Sequence, residues 1–404
     1  MNYIKRHAED ILLKMSEMFK IVLVTGQRQV GKTTIIKKIF GNTHDYISLD
    51  DMLIQEQIKR DPALFFQTHQ LPIIIDEVQK VKEIFPYLKL LADQINKKGQ
   101  IILTGSQTFS LMHHVSESLA GRVGILSLSG LSLREINTES FKDIFLPDIA
   151  YISNQRKAFD DNLWSIIHRG SYPELYENKR MDWQLFYRSY VSTYIERDVR
   201  EIINIRDLNR FSVFMVAVAA RTGQLINYAS IANEVGIDLK TAMSWLGVLE
   251  ASSIVYIAQP YSNNLLSRAV KTPTLYFMDT GLASFLLKWQ TPEVLENGAM
   301  SGFMLQTYAV SEIIKSYRNK GIEPNLMFYR DRDQNEVDIV LEQNGKLYLV
   351  EVKKTAHPTL HMTKNFDTIR NKNGITIGGQ YVLSMIENPM YLTQDIIAYP
   401  IKKI

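Results

Sequence analysis

The chain has 404 residues, and at about 150 residues per domain that length fits two to three domains rather than one. Hydrophobic residues at 46% and charged residues at 22% are ordinary globular values that exclude a disordered or collagenous chain, and the lack of cysteine excludes disulfide staples, thiolate metal sites and cysteine nucleophiles. Forty-six basic against 43 acidic residues leave a net charge of +3, so any nucleic-acid contact has to come from local clusters rather than a global field.

The N-terminal segment MNYIKRHAEDILLKMSEMFK scatters charges through its apolar positions and cannot form a signal-peptide core. The longest apolar stretch, near Phe211 to Ala220, falls well short of the roughly 20 residues a membrane span needs. A soluble cytoplasmic protein without membrane contact is expected. After an amphipathic N-terminal helix, the run 21–24, a glycine-bounded loop and an apolar-periodic segment from Thr33 to Phe40 read as strand, loop and helix. Further short apolar runs at 46–49, 72–75 and 101–103 alternate with helical patterns such as Phe85, Leu88, Leu91 and Ile95. This alternation predicts an α/β fold with a parallel sheet covered by helices on both faces.

The segment Gly26-Gln27-Arg28-Gln29-Val30-Gly31-Lys32-Thr33, followed by Thr34, matches G-x-x-x-x-G-K-[ST] between a predicted strand and helix. Its glycines let backbone N–H groups close around a triphosphate, and the following helix turns its positive N-terminus to the same anion. Lys32 would reach the β- and γ-phosphates and the Thr33 hydroxyl would ligate Mg²⁺, so ATP with Mg²⁺ is the expected ligand. Downstream, Ile73-Ile74-Ile75 ends in Asp76-Glu77, at the carboxyl end of a buried strand where open parallel sheets place their chemistry. Asp76 would hold Mg²⁺ through water and Glu77 would polarise the water that attacks the γ-phosphate. At the end of the next strand Thr104 or Ser106 is a candidate to sit between that water and the phosphate. Arg122, beside Gly121, reads either as a finger neutralising transition-state charge or as a surface ion-pair arginine.

In their order and spacing, GQRQVGKTT, YISLDD, IIIDEVQ, ILTGSQ and SLAGRV, with RGSYPEL at 169–175 and YIERDVREI at 194–202, resemble the AAA-type ATPases of archaea and bacteria that carry a C-terminal domain of unknown function. The resemblance covers nearly the whole chain. It implies an AAA+ ATPase with Lys32, Thr33, Asp76 and Glu77 at matching positions, Ser106 as sensor, and Arg122 as the finger, acting in cis or from a neighbouring subunit of a homo-oligomer.

Pattern changes divide the chain into a P-loop domain (1–150), a helical lid or linker (151–205), a winged-helix domain (206–290) and a C-terminal α/β domain (291–404). The lid is rich in Trp164, Trp183, Tyr187, Tyr190 and Tyr194, for which packing is as good an explanation as ligand contact. In the third segment, helices at 228–235 and 240–251 precede strands at 254–259 and 275–278, joined by a loop carrying Arg268 and Lys271; this order is that of a winged helix. Ala242, Trp245, Leu246 and Leu249 form one buried stripe. The opposite face shows Lys240, Thr241, Met243, Ser244 and Gly247 rather than the Arg, Asn or Gln of base readout, so a structural or protein-binding role ranks above sequence-specific DNA binding.

In the last segment a helix at 302–317 leads to strands at 326–330, 336–341 and 347–353. Period two puts Val337, Ile339 and Leu341 on one face with Asp338 on the other, and sets Glu351 and Lys353 on a shared face. Asp338…Glu351-x-Lys353 resembles the D…E-x-K pattern of the restriction-endonuclease-like core, which holds Mg²⁺ and orients a hydrolytic water. Gln306 stands where such nucleases often add a glutamate, so a degenerate nuclease competes with an active one. The whole reads as a Mg²⁺-dependent ATPase that couples nucleotide state to a DNA- or protein-engaging module in 206–404. An ATP-gated nuclease and a slow, non-motor ATP-binding switch are the alternatives.

Overall fold

The computed structural model describes residues 3–106, 109–153, 162–193, 208–262, 272–370 and 374–404. Gln107, Tyr194, the segment 194–202, Arg268 and Lys271 lie outside them.

The β-branched runs of the first part pair into one parallel sheet. Its strands are β1 (Ile21–Gly26), β2 (Asp45–Ser48), β3 (Ile73–Asp76), β4 (Ile101–Ser106) and β5 (Val123–Leu128), in the order β2-β3-β4-β1-β5. Alternate residues serve two separate cores, as a pleat with helices on both sides requires. Val22, Val24, Ile74 and Ile102 pack with Leu12 of the helix Glu9–Met18 and with Ile35 and Ile36 of the helix Lys32–Phe40. Ile21, Leu23, Ile73, Ile75 and Leu103 pack with Phe85 and Leu88 of the helix Ile84–Gln94 and with Leu111 and Val115 of the helix Phe109–Ser118. Because all five strands run one way, Gly26, Asp76 and Ser106 finish at the same end of the sheet.

The second sheet is mixed and has nine strands. These are β6 (Gln224–Leu225), β7 (Val255–Pro260), β8 (Thr274–Phe277), β9 (Leu326–Arg330), β10 (Glu336–Gln343), β11 (Lys346–Lys353), β12 (Ile377–Ser384), β13 (Met390–Tyr391) and β14 (Ile396–Pro400). They lie in the order β13-β14-β12-β11-β10-β9-β7-β8-β6. The boundary expected at 290 therefore falls between strands of one sheet: β7 pairs in parallel with β9 through Gln259–Met327 and Pro260–Phe328. The helices Tyr228–Val235 and Leu239–Ala251 meet at Gly236, whose φ of 71° closes the first of them in the left-handed conformation. The stripe Ala242, Trp245, Leu246 and Leu249 is buried, and Trp245 packs edge-on against Phe211 and Phe214.

One expectation of register is overturned. A bulge between Val337 and Val340 interrupts the pairing of β10 with β9, and a bulge adds a residue that breaks the period-two alternation. Val337 consequently packs with Val340 in one core, while Ile339 and Leu341 face the other.

The two sheets are joined through the helix Ser301–Arg318, which packs on β5, β8 and β11. The seam is closed by polar contacts as well: Leu133 N donates to Glu312 at 2.8 Å, Phe145 N to the Ser316 hydroxyl at 2.9 Å, and the Tyr381 hydroxyl to Asp148 O at 2.7 Å. A single buried cluster runs from Val22 through Trp164, Tyr187 and Ile313 to Tyr399. Among the described residues no helix is long and apolar enough to cross a membrane.

Candidate functional site

The loop after β1 is shaped for close backbone approach. Gly26 has φ 146° and a Cβ there would lie 2.1 Å from Leu128 O, so no other residue fits without moving the neighbouring strand. Gly31, at φ 91°, is the N-cap of the helix Lys32–Phe40, which has no side-chain cap and no acidic residue in its first turn. Its leading N–H groups and positive dipole are therefore available to an anion. Lys32 is buried and donates to Gly26 O at 3.1 Å and Gln27 O at 2.7 Å, which keeps its ammonium at the loop.

Asp76, at the end of β3, is the centre of a hydroxyl cluster. The Thr33 hydroxyl donates to it at 3.0 Å, the Tyr46 hydroxyl at 2.6 Å, and Thr104 also donates to it. Burial and this carboxylate raise the Tyr46 phenol above its ordinary range. The oxygen donors of Thr33 and Asp76 meet directly, and hard oxygen ligands suit Mg²⁺. Glu77 takes a left-handed backbone, φ 58°. Its N–H donates to the Thr104 hydroxyl at 3.1 Å and its carboxylate accepts from Gln79. Of the two candidate sensors, Thr104 is thus wired to both acidic residues. Ser106 lies beside Gly26 in register, with a buried hydroxyl that has no partner among the described residues.

A cavity of about 640 Å³ opens over this group, within the size range of small-ligand sites. Arg28, Gln29, Gly31, Lys32, Thr33, Thr34 and Glu77 line one side. Tyr3, Ile4, Glu177, Met181, Phe186 and Tyr190 line the other. Of the aromatic residues at 151–205, Trp164, Tyr187 and Tyr190 all belong to the buried core, and Tyr190 also borders the cavity. Burial and neighbouring Glu174 push the Glu177 carboxyl up. Gln27 and Val30 point away into protein and are buried.

Arg122 is not part of this group within the chain. Ile21 is in register with Val123 and Gly26 with Leu128, so Arg122 sits at the opposite end of the sheet, roughly 20 Å from the level of Gly26 at about 3.3 Å per residue. It forms a two-pronged ion pair with Asp93 at 2.7 and 3.2 Å.

Sequence reading missed Arg6. Its buried guanidinium donates to Val30 O of the loop at 2.8 Å, to Ser129 O at 2.7 Å and to Glu135 at 3.0 Å. Burial alone would raise Glu135, but Arg6 and His7 hold its carboxyl below the usual range. No local motif marks an arginine that reaches the loop from a segment preceding the first strand.

The second candidate cluster also assembles. Asp338 accepts from Val352 N at 2.8 Å and from the Lys353 ammonium at 3.3 Å, and Lys353 donates to Glu351 as well. Burial, then the Asp338 charge, pushes the Glu351 carboxyl well up. Burial opposes charge on Lys353, but the two carboxylates outweigh it and raise the amine. Asp338 lines a cavity of about 410 Å³ together with Gln306, Arg330 and Glu336. Gln306 donates to the Tyr276 hydroxyl at 3.1 Å.

Residues 18–137 match the AAA domain family, and residues 160–293 and 301–404 match two domains of unknown function, DUF8612 and DUF4143. The uncharacterized protein Rv2008c of Mycobacterium tuberculosis is 26% identical over 361 residues, covering 88% of this chain and 75% of its own. The uncharacterized protein MJ1637 of Methanocaldococcus jannaschii is 21% identical over 428 residues, covering 96% and 88%. Among solved structures, the Walker-type ATPase PABY2304 of Pyrococcus abyssi is similar over 70% of this chain and 96% of its own, at 16% identity and a TM-score of 0.40. The AAA match spans the phosphate loop, Asp76, Glu77, Ser106 and Arg122, and it supports an ATP-binding ATPase of the AAA type.

Proposed function

We propose that the protein is a Mg²⁺-dependent ATPase of the AAA+ class that couples nucleotide state to its C-terminal module. The observation that carries this is the direct Thr33–Asp76 contact beside Lys32 and Glu77 at one cavity. Thr33 and Asp76 would hold Mg²⁺, which when bound neutralises charge on the β- and γ-phosphates. Lys32 leaves the loop carbonyls for the phosphate oxygens. Glu77, released from Gln79, accepts a proton from the attacking water, and the Ser106 hydroxyl orients that water or the γ-phosphate. Arg122 lies too far from the loop of its own chain to act there, which favours action on the site of a neighbouring copy in a homo-oligomer. Steady-state hydrolysis of ATP with and without Mg²⁺ tests the reading: no Mg²⁺-dependent turnover, together with no ATP binding, would overturn it.

For residues 206–404 the same reading takes the helices Tyr228–Val235 and Leu239–Ala251 with β7 and β8 as a winged helix, and β9 to β12 as a restriction-endonuclease-like core. Leu239 and Met243 are about half exposed on the helix that would read DNA, which favours a protein partner over base readout. A nucleotide-gated nuclease is the second reading, favoured by the meeting of Asp338, Glu351 and Lys353. The neutral amide of Gln306 in the same cavity supplies no carboxylate, so cleavage is weak or absent. Incubating the full chain with single- and double-stranded DNA, Mg²⁺ or Mn²⁺ and ATP distinguishes the two.

A further inference from the structure

Gln27 occupies a position that the phosphate-loop motif leaves unspecified, yet its side chain is buried and bonded at both ends. Its amide oxygen accepts from the Tyr172 hydroxyl at 3.0 Å, and its amide nitrogen donates to Ser253 O. Its own main-chain carbonyl accepts from Lys32 at 2.7 Å. Ser253 has φ 57° and forms the turn between the helix Leu239–Ala251 and β7. Two strands along the sheet from β7 lies β10, which carries Asp338. On the other side, Ser171, next to Tyr172, donates its N–H and hydroxyl to Asp279 at 2.6 and 2.7 Å, and Asp279 caps the helix Thr280–Leu286.

We propose that Gln27 is a positioning residue that carries nucleotide occupancy from the phosphate loop to the nine-stranded sheet, with Tyr172 and Ser253 as its two contacts. This rests on the reading of the loop as an ATP site. The amine that grips Gln27 O is the one that must turn to the phosphates. A bond to a charged donor is about twice as strong as a neutral one, so its loss frees the Gln27 peptide to rotate. The side-chain amide, held at both ends in a dry setting, passes that movement to Ser253 and thus to the start of β7. Leaving either amide group without a partner in the interior is costly, so the contacts move together rather than break.

Hydrogen exchange on the full chain, with and without saturating Mg²⁺ and a non-hydrolysable ATP analogue, tests this. Peptides from 32–40 report occupancy and those from 253–260 report transmission. In the wild type both are expected to respond, the second by about tenfold in exchange rate, the scale of ordinary site-to-site coupling. In Gln27→Met, saturated at its own affinity, peptide 32–40 should still respond while 253–260 changes by less than about twofold. An undiminished response at 253–260 in Gln27→Met overturns the proposal. So does a wild type in which 32–40 responds and 253–260 does not. Silence at 32–40 in the wild type instead removes the ATP site itself, and this proposal with it. If Gln27→Met lacks native protection before nucleotide is added, Tyr172→Phe, which deletes one oxygen, has to cut the transmitted response to below about threefold, and an intact response there overturns the proposal equally.

Discussion

At the end of the first sheet Asp76 is ringed by the hydroxyls of Thr33, Tyr46 and Thr104, whereas in the second sheet Asp338 and Glu351 close on the ammonium of Lys353. Hydroxyls are neutral and can turn an oxygen toward a cation. An ammonium is itself the cation. On the proposed reading the first site offers hydroxyl and carboxylate oxygens that would hold a metal, whereas the carboxylates of the second are already paired with an ammonium among the described residues. A shared inventory of carboxylate, lysine and strand end thus gives two different hydrogen-bond environments, decided by which partner faces the carboxylate.

The largest expected effect lies at the first site. Glu77→Gln should lower ATP turnover by about 10²–10⁴-fold, the usual worth of a general base, with nucleotide affinity retained; Lys32→Ala should lose the affinity. Equal affinity for Lys32→Ala and wild type in a titration calorimeter would mean that the cradle does not bind phosphate. Next comes Arg122→Ala, expected to lose roughly 10³ in rate, by analogy with fingers supplied in trans. Wild-type activity per chain should then rise with protein concentration, and mixing Arg122→Ala with Lys32→Ala chains should restore some turnover. A wild-type rate for Arg122→Ala would leave its Asp93 ion pair as its whole role.

The contrast between the sites is sharpened by the metal. Mg²⁺-dependent DNA cleavage by the full chain should be faint or absent, and Asp338→Ala should change it little. Robust cleavage abolished by that substitution would show that Lys353 yields its carboxylates to a metal after all. The smallest effect is on stability. Burial and the Asp338 charge push the Glu351 carboxyl up in the fold, so its contribution is fully present below its ordinary value of 4.5 and is lost as pH rises toward about 9. Glu351→Gln cannot ionise, so its melting temperature relative to wild type should climb across that window by at least the roughly 2–4 °C that 1 kcal/mol is worth in a large domain. A constant difference between the two proteins would place an ionised Glu351 in the fold.

What could be read from the sequence was local. The phosphate loop, the Asp76-Glu77 pair and the parallel strands are contiguous patterns whose chemistry depends on spacing alone, and each strand begins within a residue or so of its apolar run. Arg6, Tyr46 and Tyr172 could not be found that way, because their roles depend on which distant segment they meet; Tyr172 and Gln27 are 145 positions apart. The misplaced face of Val337 has another origin. Alternation assumes an unbroken ladder, and nothing in Glu-Val-Asp-Ile-Val marks the residue at which β10 bulges.

The parallel pairing of β7 with β9 bears on how this chain can be cut and recombined. Severing it near residue 290 would leave two half-sheets, one edged by β7 with Gln259 and Pro260 stripped of their partners and one by β9 with buried Met327 and Phe328 stripped of theirs. Open edges of that kind recruit other chains. Fragments ending there should aggregate rather than behave as modules, and chimaeras between relatives should exchange 206–404 as one inheritance unit.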